Sequence, residues 1–175
     1  MSKKAIFLDR DGVINKEVNY LYKIENFEFI NGVFKSCLYF QNLGYILIII
    51  TNQSGISRDF YSDNDFQKLS AWMLEEFSKH GIIIQDTFYC PHGPESNCRC
   101  RKPKPGMFIE AKKKHNINMK ESWMIGDSEV DIQSANDANI QNTILVRSGK
   151  KINESSSNAK FILDSIKEAP NFILN

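Results

Sequence analysis

The chain has 175 residues, 42% of them hydrophobic and 25% charged, with a net charge of +1 at neutral pH. That length suits one domain with its own core, expected over residues 1–175. The near-neutral charge argues against a nucleic-acid or anionic-membrane partner. No apolar run approaches the roughly 20 residues of a membrane span, and the apolar stretch ahead of Asp9 is too short for a signal peptide, so the expected setting is the cytoplasm.

In chain order, KAIFLD (4–9) reads as a buried strand that ends at Asp9. Val33, Phe34, Cys37, Leu38 and Phe40 recur at helical spacing over 32–43, and Gly44 offers a left-handed stop. YILIIIT (45–51) is a second strand, ending at Thr51. Phe66, Leu69, Met73 and Phe77 mark a helix running to His80, with Ser62 and Asp65 as a capping box and Gly81 as its terminator. IIIQDTFYC (82–90), SWMIGD (122–127) and NTILVRSG (142–149) read as further strands. Near-continuous Ile, Leu and Val suits strands covered on both faces, and the alternation with helices predicts an α/β fold in three layers around a parallel sheet. Forty-one residues lie between Asp9 and Thr51 and thirty-eight between Thr51 and Cys90. One loop, helix and strand fill each gap, so no separate cap domain is expected.

Asp9, Thr51 and Asp127 each close a strand, and open α/β sheets bind ligands at that edge. In FLDRDGVIN, Asp9 and Asp11 stand two apart ahead of Gly12. The string can be a plain turn. It can also pair a nucleophile or metal ligand with an acid/base, and carboxylates facing a phosphate would need a cation such as Mg²⁺. TNQSG adds the Thr51 hydroxyl and a polar turn whose amides could hold an oxyanion. Asp131, four residues after Asp127, can be a further ligand or a first-turn acid of a helix. Lys102 is either an exposed lysine or the cation that balances a phosphoryl group.

Cys90, His92, Cys98 and Cys100 form a Cys₃His set within eleven residues. That composition suits a structural zinc with no open position. A disulfide is the plainer alternative, but neighbours one residue apart pair poorly and the compartment disfavours it. Residues 91–100 hold no apolar side chain except at the ligands, so the loop over 90–100 needs a metal to offset its ordering entropy. Its zinc would aim Arg101 and Lys102. His80 and His115 fit helix ends, Cys37 a core face, and Trp72 and Trp123 packing positions.

The motifs DRDG, TNQSG, Lys102 before a proline, and GD with a further Asp resemble the haloacid dehalogenase superfamily of phosphatases. FLDRDGVIN, IENFEFINGV, TNQSGISR, YCPHGPESNCRCRKPKPGM, IGDSEVDIQSA and ILVRSGK, in this order along nearly the whole chain, resemble its heptose-bisphosphate phosphatases, in the histidinol-phosphatase-like subgroup. The resemblance implies a Rossmann-like fold and removal of the 7-phosphate of D-glycero-D-manno-heptose 1,7-bisphosphate, a step toward nucleotide-activated heptose for lipopolysaccharide or other surface polysaccharide. It implies Asp9 as nucleophile, Asp11 as acid/base, and Thr51 and Lys102 on the phosphoryl oxygens. It further implies Mg²⁺ on Asp9, the Asp11 carbonyl and Asp127, with zinc on the Cys₃His loop. Substrate positions would be Glu17, Val18, Asn19, Tyr20, Asn52, Gln53, Ser54 and Arg101, in a monomer that takes a small sugar bisphosphate. Histidinol-phosphate phosphatase is the nearest rival, and the five-residue gap between His92 and Cys98 is short as in that rival. Ser54, KPKPGM and NFEFINGV favour the heptose enzyme. A non-enzymatic zinc-ribbon module would explain residues 90–104 but not the carboxylates.

Overall fold

The computed structural model describes residues 2–174. Six strands form one parallel sheet: β1 Ala5–Leu8, β2 Ile46–Asn52, β3 Ile84–Cys90, β4 Trp123–Gly126, β5 Asn142–Val146 and β6 Phe161–Leu163. Their spatial order is β3-β2-β1-β4-β5-β6. The chain grows outward from β1 through β2 to β3, then returns to β4 on the other side of β1. The strand order reverses between β1 and β4, which opens a crevice at their carboxyl ends.

The helices are α1 Val33–Asn42, α2 Asp63–Lys79, α3 Gly106–His115 and α4 Glu129–Asp137. Side chains alternate along a strand, so odd and even positions of β1 serve opposite layers. Ile6 and Leu8 join Leu47, Ile49 and Ile125 beneath Val33, Cys37 and Phe40 of α1 and Leu69, Met73 and Phe77 of α2. Ala5 and Phe7 join Ile48, Ile50 and Met124 against Met107, Phe108 and Ala111 of α3 and Ala135 of α4. Phe7 meets Phe108 edge to face at 5.0 Å. Burying each such ring contributes about 2 kcal/mol.

The expected capping box of α2 is present, with the Asp65 N–H donating to Ser62 Oγ at 3.1 Å and the Ser62 N–H to Asp65 at 2.9 Å. Gly44 and Gly81 adopt φ of 82° and 72° and end α1 and α2. One short 3-10 turn and α1 bridge β1 to β2, and α2 bridges β2 to β3, so no inserted cap stands over the sheet edge among the described residues. No helix is long and apolar enough to cross a membrane.

The packing readings also hold. Cys37 is fully buried, and burial pushes its thiol up to about 12. Trp72 packs on Phe27 and Trp123 on Phe161. His80 caps α2 and stacks on Phe34, while His115 ends α3 and contacts Asp86 at 2.7 Å.

Candidate active site

Asp9 follows β1 directly, and its own N–H donates to the Ile125 carbonyl of β4 at 3.0 Å. This fixes its side chain over the strand reversal. Asp127 follows β4, and Asp131 stands one turn into α4. The three carboxylates offer oxygens within 4.8 Å of one another. Lys102, arriving from the segment after β3, is buried, with its ammonium 3.1 Å from Asp9 and 2.6 Å from Asp131. It also donates to the Ile50 carbonyl at 2.8 Å. Three carboxylates against one ammonium leave excess negative charge in a dry place. Burial first, and then Asp131, hold Asp9 well above the usual carboxylate range and carry Asp127 up to about 6. Burial works to lower Lys102, but Asp131 and Asp9 outweigh it and keep the ammonium charged.

Asp131 is the first-turn acid of α4 and also faces the carboxylate cluster. It accepts from the Ser128 N–H at 3.1 Å as the capping-box acid of α4. Its other oxygen has no aligned hydrogen-bond donor and touches only the Lys102 charge. A buried oxygen in that state, beside two more carboxylates, fits a hard divalent cation with oxygen ligands. Glycines make room for the group. A Cβ at Gly12 would stand 2.4 Å from Asp127 Oδ2, and one at Gly126 would stand 2.3 Å from the Asp131 Cβ.

Asp11 turns its carboxylate toward a cage of donors. Arg10 reaches it at 2.9 and 3.0 Å, Asn15 at 3.0 Å and Gln53 at 3.0 Å. Arg10 is itself buried and also donates to the Leu21 carbonyl at 3.0 Å, which ties the segment that follows Tyr20 to this cage. Gln53 donates to Thr51 Oγ1 at 2.9 Å and accepts from Tyr61 at 2.5 Å. Thr51 is therefore buried under Gln53 with its own hydroxyl proton free to donate.

A cleft of about 470 Å³ lies above these groups. Asp9, Asp11 and Lys102 form part of its wall, with Glu17, Val18, Asn19 and Tyr20 on one side and Asn52, Gln53, Ser54 and Arg101 on another. Every substrate position expected from the sequence thus reaches one cavity. Burial, and then Asp11, raise Glu17 above its usual value. Two members are more committed than the sequence suggests. The Asn52 amide clamps the Lys102 backbone, accepting from its N–H at 3.1 Å and donating to its carbonyl at 3.2 Å. Arg101 spends one nitrogen on the His92 carbonyl at 3.0 Å.

Arg58, Tyr61 and Lys150 also line the cleft, and Arg10 and Asn15 stand behind it; sequence reading missed all five. Arg58 could have been found, since it follows TNQSG by three residues. Tyr61 carried no signal, because only the fold sets it under Gln53.

The Cys₃His set converges as expected. Cys90 lies 3.7 Å from Cys98 and 3.0 Å from Cys100, and His92 Nδ1 lies 3.4 and 3.3 Å from Cys90 and Cys100. A tetrahedral zinc with normal bond lengths sets about 3.8 Å between sulfurs and about 3.6 Å between sulfur and nitrogen. The cluster fits that cage, with one edge short. All four cysteines are free thiols, and a disulfide would need about 2.05 Å. Burial opposes the Cys98 thiolate, yet the Arg101 N–H and the neighbouring thiols bring it down to about 6. The loop grips the site through its backbone as well, because the Gln53 N–H donates to the Cys90 carbonyl at 2.7 Å.

A family model for HAD-hydrolase-like proteins matches residues 99–169. The chain is 43% identical to a D-glycero-beta-D-manno-heptose-1,7-bisphosphate 7-phosphatase of Vibrio cholerae, covering 99% of this chain and 98% of that one. It is 47% identical to a D-glycero-alpha-D-manno-heptose-1,7-bisphosphate 7-phosphatase of Campylobacter jejuni, covering 96% and 98%. In fold it matches a crystal structure of D,D-heptose 1,7-bisphosphate phosphatase from B. bronchiseptica complexed with magnesium and phosphate, with a TM-score of 0.85 at 24% identity over 97% of each chain. With full-length identity at this level, a six-stranded parallel sheet and an acidic cleft at the strand reversal, the chain belongs to the family of heptose-1,7-bisphosphate 7-phosphatases, phosphomonoester hydrolases of the haloacid dehalogenase type.

Proposed function

We propose that this enzyme removes the 7-phosphate of D-glycero-D-manno-heptose 1,7-bisphosphate through an aspartyl-phosphate, as a cytoplasmic monomer supplying precursors of nucleotide-activated heptose and surface polysaccharide. The observation that carries the reading is the meeting of Asp9, Asp127, Asp131 and Lys102 at the floor of a polar cleft, in a chain aligned end to end with named 7-phosphatases.

Asp9 is the nucleophile. Its carboxylate oxygen attacks phosphorus while the bond from phosphorus to the sugar oxygen breaks. Asp11 gives its proton to that leaving oxygen. It then takes one from the water that cleaves the aspartyl-phosphate, which releases phosphate and restores Asp9. The donor cage of Arg10, Asn15 and Gln53 supports this cycle by holding the Asp11 carboxyl in one place for both transfers. Lys102 and the free proton of Thr51 stabilise the phosphoryl oxygens. Asp9, Asp127 and the Asp11 backbone carbonyl would hold Mg²⁺, which when bound neutralises charge developing on the transferring group. Asp131 completes the acidic floor. Zinc on Cys90, His92, Cys98 and Cys100 would be structural.

Glu17, Val18, Asn19, Tyr20, Ser54 and Arg101 face the sugar and its second phosphate from the cleft walls. Asn52 and Gln53 serve them from behind through Lys102, Asp11 and Thr51. The test compares kcat/KM for the α and β heptose 1,7-bisphosphates with that for histidinol phosphate. A preference for a heptose substrate on the order of 100-fold or more is expected. Comparable rates on all three would sink the substrate assignment, and phosphate release retained by Asp9→Asn would sink the mechanism.

A further inference from the structure

We propose that the turn after β5, Ser148–Gly149–Lys150, is a positioning element of the metal site that sets where Asp127 and the Asp11–Gly12 backbone stand. The inference rests on the reading of Asp9, Asp127 and the Asp11 carbonyl as Mg²⁺ ligands. No side chain of this turn belongs to the chemical steps above, yet it grips both ends of that ligand set.

The Ser148 hydroxyl donates to the Gly12 carbonyl at 2.6 Å, joining segments 136 positions apart. The Lys150 N–H donates to Asp127 Oδ2 at 3.0 Å. Between these two bonds, Gly149 presses on the same carboxylate: a Cβ there would lie 2.1 Å from Asp127 Oδ2. Gly12 closes from the other side, where a Cβ would lie 2.4 Å from that oxygen. Asp127 is thus held between two glycines from opposite ends of the chain. Gly12 also needs its φ of +83°, whereas Gly149 has no left-handed backbone, so its demand is for space alone.

The turn is anchored in its own right. The Arg147 N–H donates to the Leu163 carbonyl of β6 at 3.0 Å. Its guanidinium is held by Glu154 at 2.6 and 2.9 Å and by Asp164 at 2.8 Å. A fixed turn that occupies one Asp127 oxygen leaves the other for a cation. The same turn, by holding the Gly12 carbonyl, restrains the peptide next to the one that carries the Asp11 carbonyl. It therefore sets the spacing between two ligands that come from different strands. Outer partners of this kind are worth roughly 10–100-fold in metal affinity.

The test measures Mn²⁺ binding through loss of the free-ion paramagnetic resonance signal, since Mn²⁺ takes the same oxygen donors. Half-saturating Mg²⁺ for phosphate release is measured in parallel. Ser148→Ala should weaken Mn²⁺ binding by about tenfold and raise half-saturating Mg²⁺ by a similar factor. Ser148→Thr, which keeps the hydroxyl, should restore both. Gly149→Ala should weaken binding further, toward about 100-fold. If Gly149→Ala does not fold, the serine pair decides the matter. Parent-like Mn²⁺ binding by Ser148→Ala, or a loss that threonine does not restore, would overturn the proposal. Asp127→Asn separates the two levels: if it binds Mn²⁺ as tightly as the parent, the ligand assignment itself fails.

Discussion

Replacing Asn52 by alanine removes both amide bonds to the Lys102 backbone, at 3.1 and 3.2 Å, and adds no bulk to the cleft. Each such bond contributes about 1 kcal/mol net, so the fold should lose about 2 kcal/mol. For a chain of this size that lowers Tm by roughly 5 °C. The larger effect should fall on catalysis. Lys102 keeps its bond to the Ile50 carbonyl, but its backbone loses the clamp that sets the ammonium between Asp9 and Asp131. A shift on the order of 1 Å in such a group costs about 100-fold in rate. Steady-state kinetics with heptose bisphosphate should therefore show kcat down by about 100-fold with KM little changed. Asn52→Asp keeps an acceptor for the Lys102 N–H and should fall between the two. The opposite pattern, KM raised with kcat preserved, would mean that Asn52 contributes uniform binding energy to substrate and would refute the clamp.

Lys102→Met leaves Asp9 and Asp131 buried without their cation and should destabilise the fold by about 3–5 kcal/mol. Mg²⁺ should then raise its Tm more than it raises the parent's, as differential scanning calorimetry would show. Chelation of the loop metal, or Cys98→Ala, should lower activity while leaving half-saturating Mg²⁺ unchanged; a shift in Mg²⁺ dependence would contradict a purely structural zinc. For Asp86, partial burial acts to raise the carboxyl, but hydrogen bonds from Lys114 and His115 outweigh it and hold it below its ordinary 3.8. A depressed folded-state value means stability that is present above the unfolded-state value and lost as pH falls through the folded one. Melting curves of Asp86→Asn should accordingly lie below the parent's at neutral pH and converge with them as pH falls through the depressed folded-state value.

What the sequence made legible was whatever local pattern encodes. Runs such as YILIIIT announce strands covered on both faces, and a polar residue at the end of such a run points to the sheet edge. That logic alone assigns Asp9, Thr51 and Asp127 to one sheet edge. The Cys₃His spacing announced a second site in the same way. β6 escaped because three residues, Phe161–Leu163, are too few for any periodicity to register, and a polar tract precedes them.

The holding bonds have a different origin. Asn52 and Gln53 were expected to face substrate, and both do line the cleft, yet their amides bond to Lys102, Asp11, Thr51 and Tyr61. Ser148 reads as an ordinary turn residue until it is seen on the Gly12 carbonyl. These bonds join a side chain to a partner up to 136 positions away, often to a backbone atom whose residue type is irrelevant. Composition and spacing encode neither end of such a bond. The groups that touch phosphate are constrained by their own chemistry and can be picked out by type. The groups that hold them are constrained only by where the fold brings a donor to an acceptor. On the proposed mechanism the second set, Asn52 on Lys102, Gln53 on Asp11 and the turn at Ser148–Lys150 on Gly12 and Asp127, would set how rigidly the first is aimed.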